Sequence, residues 1–251
     1  MHKKQFIVFG MLLLTYALAT FVSVAFLFDQ MSMGLPVPPM EVEVEPWVLG
    51  LANAGIVLVF YGLFGLAGYW FARRLQLPGI FSENGNLRGW VWMPMLYGAV
   101  CGVVLVIADI LFAPINGFGR FPHPDFPFSI LASLSAGIGE EILFRGFVFG
   151  LWAFLLNLFF KRWDQTKTAL WIANLISAIA FGAGHLPAAV LILGWQSPAQ
   201  LPPVLLLEIF LLNGLVGVVA GNRYMKDGLV AAAGVHFWTD IIWHVLWGFT
   251  S

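Results

Sequence analysis

Long apolar runs separated by short polar stretches set the plan of this chain. A helix that crosses a bilayer needs about 20 mostly apolar residues. Seven runs meet that length: 6–28, 47–71, 90–114, 127–160, 168–186, 201–221 and 228–249. Stretches such as PVPPMEVEVEP (36–46) and FSENGN (81–86) separate them. No period-2 alternation of apolar and polar residues is present, which argues against a β-barrel. The fourth run is too long for one straight span, since at about 1.5 Å per residue it extends to about 50 Å. It is predicted either to tilt and project, or to break at Gly137 and Gly139 so that a span starts near Glu140. Residues 187–200 (PAAVLILGWQSPAQ) are too short to cross and read as a re-entrant piece or part of an eighth helix. The expected fold is therefore all-α, a polytopic transmembrane helical bundle of seven to eight spans. Residues 1–120 supply about three amino-terminal spans and 125–249 a core, within one integrated membrane domain.

Composition strengthens this reading. The 251 residues are 60% hydrophobic and 10% charged, against roughly 25% charged in soluble domains. Eleven tryptophans suit a protein with two membrane interfaces to anchor. Lys plus Arg (12) nearly balances Asp plus Glu (13), and no basic tail offers itself to nucleic acid. The single cysteine, Cys101, lies in an apolar run, so an intramolecular disulfide is excluded.

Charge placement predicts an orientation. Lys3 and Lys4 precede the first run; Arg73, Arg74 and Arg88 follow the second; Lys161, Arg162 and Lys167 follow the fourth; Arg223 and Lys226 follow the sixth. Of the basic residues the alternate loops hold only Arg120, and they carry the acidic cluster Glu41, Glu43 and Glu45. The positive-inside rule then puts the N-terminus in the cytoplasm and, with seven spans, the C-terminus outside. The expected location is the cytoplasmic membrane of a prokaryote. MHKK with Ala17-Leu18-Ala19 also fits a signal peptide, but apolarity continues to Phe28, which favours an uncleaved first helix.

Against this background the polar residues inside the runs stand out. They are Asp109; Glu140, Glu141 and Arg145; Asn174 and His185; Glu208 and Asn213; and His236, Asp240 and His244. An ionisable group in a membrane costs a few kcal/mol even on lenient scales, so each needs a partner or a function. Glu141 and Arg145 stand at i,i+4 with the acid first, the favoured order for a helical ion pair. Glu140 points about 100° away from Glu141 and has no partner on its own helix. Phe181 and His185 are four apart, as are His236 and Asp240, where the carboxylate can accept from the imidazole and fix its tautomer. His244, beside Trp243 and Trp247, reads as interfacial, and Asp109, Glu208 and Asn213 as links between helices or cavity lining.

A free Glu, two His on separate helices, a His-orienting Asp and a Glu–Arg pair make a set suited to activating water. Glu serves as general base, and the histidines hold a metal or a developing oxyanion. A nucleophilic mechanism has no support: Cys101 lacks a polar neighbour and no Ser sits in a G-x-S-x-G setting. The HExxH motif of zinc proteases is absent as well.

Glu140-Glu141-x-x-x-Arg145, Phe181-x-x-x-His185 and His236-x-x-x-Asp240, in that order and in separate apolar runs, resemble the three motifs of the CAAX protease and bacteriocin-processing (CPBP, or ABI) intramembrane endopeptidases. That family includes the type II CAAX prenyl endopeptidase. The resemblance covers roughly 125–245, and at position 240 the family often carries Asn where this chain has Asp. It implies that Glu140 activates water, that His185 and His236 complete the site, and that Glu141 with Arg145 supports it. Glu140, His185 and His236 also suit an open Zn²⁺ or other divalent metal site; metal-free water activation is the favoured expectation. The implied partners are membrane lipid and a peptide or protein substrate, processed in CAAX or leader/bacteriocin fashion. Two competing readings are a proton- or ion-coupled transporter and a catalytically silent immunity or scaffold protein. Transporters commonly carry internal repeats, and none is evident here.

Overall fold

A computed structural model describes residues 3–27, 44–192 and 194–250. Glu41 and Glu43 of the acidic cluster lie outside the described residues. Among the described residues the fold is all-helical, with seven helices long and apolar enough to cross a membrane. They are α1 (Lys3–Phe26), α2 (Pro46–Arg74), α3 (Arg88–Phe112), α4 (Phe128–Trp163), α5 (Thr166–Leu191), α6 (Pro203–Asp227) and α7 (Leu229–Trp247). The eighth-helix alternative for 187–200 is corrected. Residues Leu186–Ile192 form a short helical continuation of α5, and Pro198–Gln200 one 3₁₀ turn before α6. Neither piece is long enough to cross.

The bundle is inverted relative to a soluble protein. Large apolar side chains such as Leu14, Leu18, Leu63 and Leu111 face outward. The fully buried set includes Asp109, Asn116, Glu141, Arg145, Asn174 and Glu208. Lipid solvates the former, whereas the latter must find partners inside. Trp47 at the start of α2 and Trp163 at the end of α4 are exposed, as interfacial anchors require.

The predicted break at Gly137 and Gly139 does not occur. Helix α4 runs through both glycines, and its irregularity comes later, as a π-helical stretch over Ile142–Phe149. Further π stretches are Val57–Tyr61 in α2, Arg88–Trp92 in α3 and Ile241–Trp247, which follows Asp240 in α7. Wide turns of this kind concentrate at functional positions because they re-aim the side chains that follow. In α4 the Phe144 carbonyl accepts the Ser177 hydroxyl of α5 at 2.8 Å, tying the π stretch to its neighbour. Helix α2 packs closely there: a Cβ on Gly68 would meet the Gly146 backbone at 2.5 Å, so only glycine fits.

His236 reaches the depth of Glu140 because the α6–α7 turn is drawn into the protein. Gly228 has φ +93 and its backbone touches Ile80 and Phe81, leaving no room for a side chain. The unpaired N–H groups at the start of α7 are taken up by the 79–80 segment, Leu229 donating to the Gly79 carbonyl (3.0 Å) and Val230 to that of Ile80 (2.9 Å). Gln5 of α1 pins the same segment, its side chain donating to the Phe81 carbonyl (2.8 Å) and accepting from the Ile80 N–H (2.9 Å). Along the helices, His236 stands about 10 Å from its turn and Glu140 about 34 Å from the end of α4. The basic 161–167 turn therefore projects beyond the 228 turn.

Candidate active site

The six sequence-predicted residues Glu140, Glu141, Arg145, His185, His236 and Asp240 converge on one cluster inside the bundle, drawn from α4, α5 and α7. Adjacent residues on α4 take different environments. The Glu141 and Arg145 side chains are fully buried, whereas those of Glu140 and His185 are each 35% exposed. Glu140 faces a cavity of about 270 Å³ that also reaches His185, His236, Asp240 and His244. Leu105, Phe121, Leu212, Val216 and Trp243 supply much of its apolar wall.

The Glu140 carboxylate approaches both imidazoles without a direct hydrogen bond to either. Its Oε2 lies 4.0 Å from Nε2 of His185 and 3.9 Å from Nε2 of His236. That oxygen has no direct hydrogen-bond partner in the protein. The other nitrogen of each imidazole is already engaged. His185 Nδ1 sits 2.9 Å from the Phe181 carbonyl, which can only accept, so Nδ1 carries the proton. His236 Nδ1 sits 2.9 Å from Oε1 of Glu141 and donates to it as well.

Two sequence expectations need correction here. Glu141 is more than the partner of Arg145. Its Oε1 lies 3.1 Å from the guanidinium and also accepts from His236. Asp240, expected to fix the His236 tautomer, instead approaches the cavity-facing Nε2 at 3.6 Å. The sequence pairs residues along one helix, and here the shorter contact comes from another. Phe181 packs all these groups together. Its ring meets His185 and His236 edge-on with centroids at 4.8 Å and 5.3 Å, and the Arg145 guanidinium stands 4.4 Å from its centroid. A desolvated cation on an aromatic face gains roughly 2 kcal/mol, which helps hold Arg145 where Glu141 needs it.

The remaining intramembrane polar residues serve neighbouring structure. Asp109 accepts from the Phe121 N–H (3.1 Å) and Trp247 Nε1 (3.2 Å). Glu208 accepts from Asn116 at 2.8 Å, and the Asn116 carbonyl oxygen takes the Phe118 and Gly119 N–H groups. Together they shape the 116–122 loop over the cavity. Asn174 donates to the Val218 carbonyl and Asn213 to that of Ile209. His244 lines the cavity, and its Nδ1 lies 3.2 Å from Nδ1 of His123. Sequence reasoning passed over His123 and Asn116 because both fall in a loop, outside any apolar run.

The donor set Glu140, His185 and His236 suits a divalent metal in kind. Among the described residues no group of three or more His, Cys, Asp or Glu side chains stands out as a metal site.

Comparison with known proteins agrees with the motifs. Residues 122–242 match the family model described as type II CAAX prenyl endopeptidase Rce1-like. No curated protein and no solved structure matches the chain. The matched region contains all six clustered residues, and over it the chain is similar to the Rce1-like family of CAAX proteases.

Proposed function

We propose that this protein is an intramembrane endopeptidase that hydrolyses a peptide bond in a membrane-associated peptide or protein, with Glu140 activating the water. The observation that carries this reading is the Glu140 Oε2 facing His185 and His236 Nε2 at 4.0 Å and 3.9 Å across an apolar cavity. A water in the cavity, held on the exposed side of the Glu140 carboxylate, donates a proton to it as the water oxygen attacks the scissile carbonyl. His185, with Nδ1–H held by the Phe181 carbonyl, orients that water through Nε2. His236, as an imidazolium, donates from Nδ1 to Glu141 and from Nε2 to the oxyanion that forms. Asp240 stands 3.6 Å from that Nε2 and supports the charged form, while Arg145 holds Glu141 in place. Collapse of the tetrahedral intermediate passes the Glu140 proton to the leaving amine. No step runs through a metal.

The test compares processed peptides and protein termini between wild-type cells and a Glu140→Gln strain. Fragments present in the wild type and absent from the variant support the protease reading. Identical termini in the two strains, with the variant folded in the membrane, refute it.

A further inference from the structure

The cavity is framed by one end of the bundle. Phe118, Phe121 and Pro122 come from the loop before α4, Ala188 from the end of α5, and Trp243 and His244 from the last turns of α7. A second hollow of about 490 Å³, lined by His123, Phe126, Ser129 and Phe249, sits at the same end and shares His244 as a wall. This is the end opposite the basic loops. Lys3, Lys4, Arg73, Arg74, Arg88, Lys161, Arg162, Lys167, Arg223 and Lys226 all lie at the other end of their helices. By sequence, the segments 113–127 and 192–202, which join helices at this end, contain one Lys or Arg between them, Arg120, whose guanidinium lies 5.1 Å from the Trp247 ring centroid. Cationic residues are retained on the cytoplasmic side during insertion, and a bias of ten to one sets orientation strongly.

We infer that the cavity opens on the non-cytoplasmic face of the membrane, and that its substrates are apolar segments of exported or membrane-anchored proteins presented there. The inference rests on the protease reading of the same cavity and adds its side of access. The wall chemistry fits such an occupant. Among the cavity-lining residues there is no Lys or Arg, and the acidic members are Glu140 and Asp240. An extended apolar segment therefore enters without leaving a charge of its own unpaired.

Cysteine accessibility tests the orientation. In a Cys101→Ala background, single Phe118→Cys and Ala188→Cys chains probe the cavity rim and Gln165→Cys the basic end. Each is treated in intact cells with a membrane-impermeant maleimide, before and after permeabilisation. The expected result is labelling of Phe118→Cys and Ala188→Cys in intact cells, and of Gln165→Cys only after permeabilisation. The reverse pattern, or equal labelling of all three in intact cells, overturns the inference. Where a cysteine chain fails to fold, a phosphatase fused after residue 251 of the native sequence gives the same answer, being active only outside the cytoplasm. The termini that depend on Glu140 should then map to non-cytoplasmic segments, and mapping to cytosolic proteins overturns the substrate class. Orientation is read without activity, so a cytoplasm-facing cavity with Glu140-dependent cleavage defeats this inference alone. An outward cavity without Glu140-dependent cleavage defeats the protease reading beneath it.

Discussion

Nδ1 of His236 on α7 lies 2.9 Å from Oε1 of Glu141 on α4, and the same carboxylate oxygen lies 3.1 Å from the Arg145 guanidinium. One buried carboxylate thus holds a cation on its own helix and an imidazole on another. The second glutamate of the Glu-Glu pair is what aims His236 at the first.

Replacing Glu141 therefore affects both stability and chemistry. Glu141→Ala leaves Arg145 buried without its acid, and breaking a buried pair in this way costs about 3–5 kcal/mol. Glu141→Gln retains an acceptor for His236 and is expected to unfold closer to wild type while cleaving more slowly. Thermal unfolding in detergent, alongside a cleavage assay, distinguishes the two effects.

Glu140 behaves differently, because its carboxylate is partly exposed and has no ion-pair partner within 3.5 Å. Glu140→Gln should leave the unfolding midpoint unchanged and lower kcat by about 10²–10⁴-fold, the usual contribution of a general base. A variant that cleaves within a few-fold of wild type would assign the base elsewhere.

Metal-free water activation predicts that prolonged treatment with EDTA or 1,10-phenanthroline leaves the cleavage rate unchanged. Elemental analysis of the active protein should find zinc well below one equivalent. Loss of activity restored by added Zn²⁺ would reverse this assignment.

Gly217 of α6 faces the site from behind: a Cβ there would stand 2.9 Å from both the Ala178 Cβ and the Arg145 guanidinium. Gly217→Ala should destabilise by about 1–3 kcal/mol through overpacking. It should also lower activity through the displaced Arg145, which a combined stability and rate measurement detects.

His123, in the loop before α4, has its pKa lowered by burial, with Asp109 partly opposing the shift. A histidine harder to protonate when folded than when unfolded makes stability fall as pH drops through its ordinary range near 6.5. The wild type should lose stability between pH 8 and pH 5, and His123→Gln should lose less. Melting curves across that range in detergent measure the difference.

Much of this protein is legible along the chain. Seven apolar runs determine seven spans, because backbone groups in lipid must be satisfied within a helix and a helix has a fixed rise per residue. The residues of the cluster are visible for the same reason, since Glu140, Glu141, Arg145, His185, His236 and Asp240 are costly where they stand. Periodicity also separates Glu140 from the Glu141–Arg145 pair. What periodicity cannot supply is any contact between helices. That Glu141 rather than Asp240 takes Nδ1 of His236, that Phe181 packs both imidazoles and the guanidinium, and that His123 meets His244 are decided by which helix faces lie together. The depth of His236 depends on a Gly228 turn hydrogen-bonded to residues 79–82, far away in the chain. Sequence determined which groups are too polar for lipid; only the tertiary structure decided which of them answer one another.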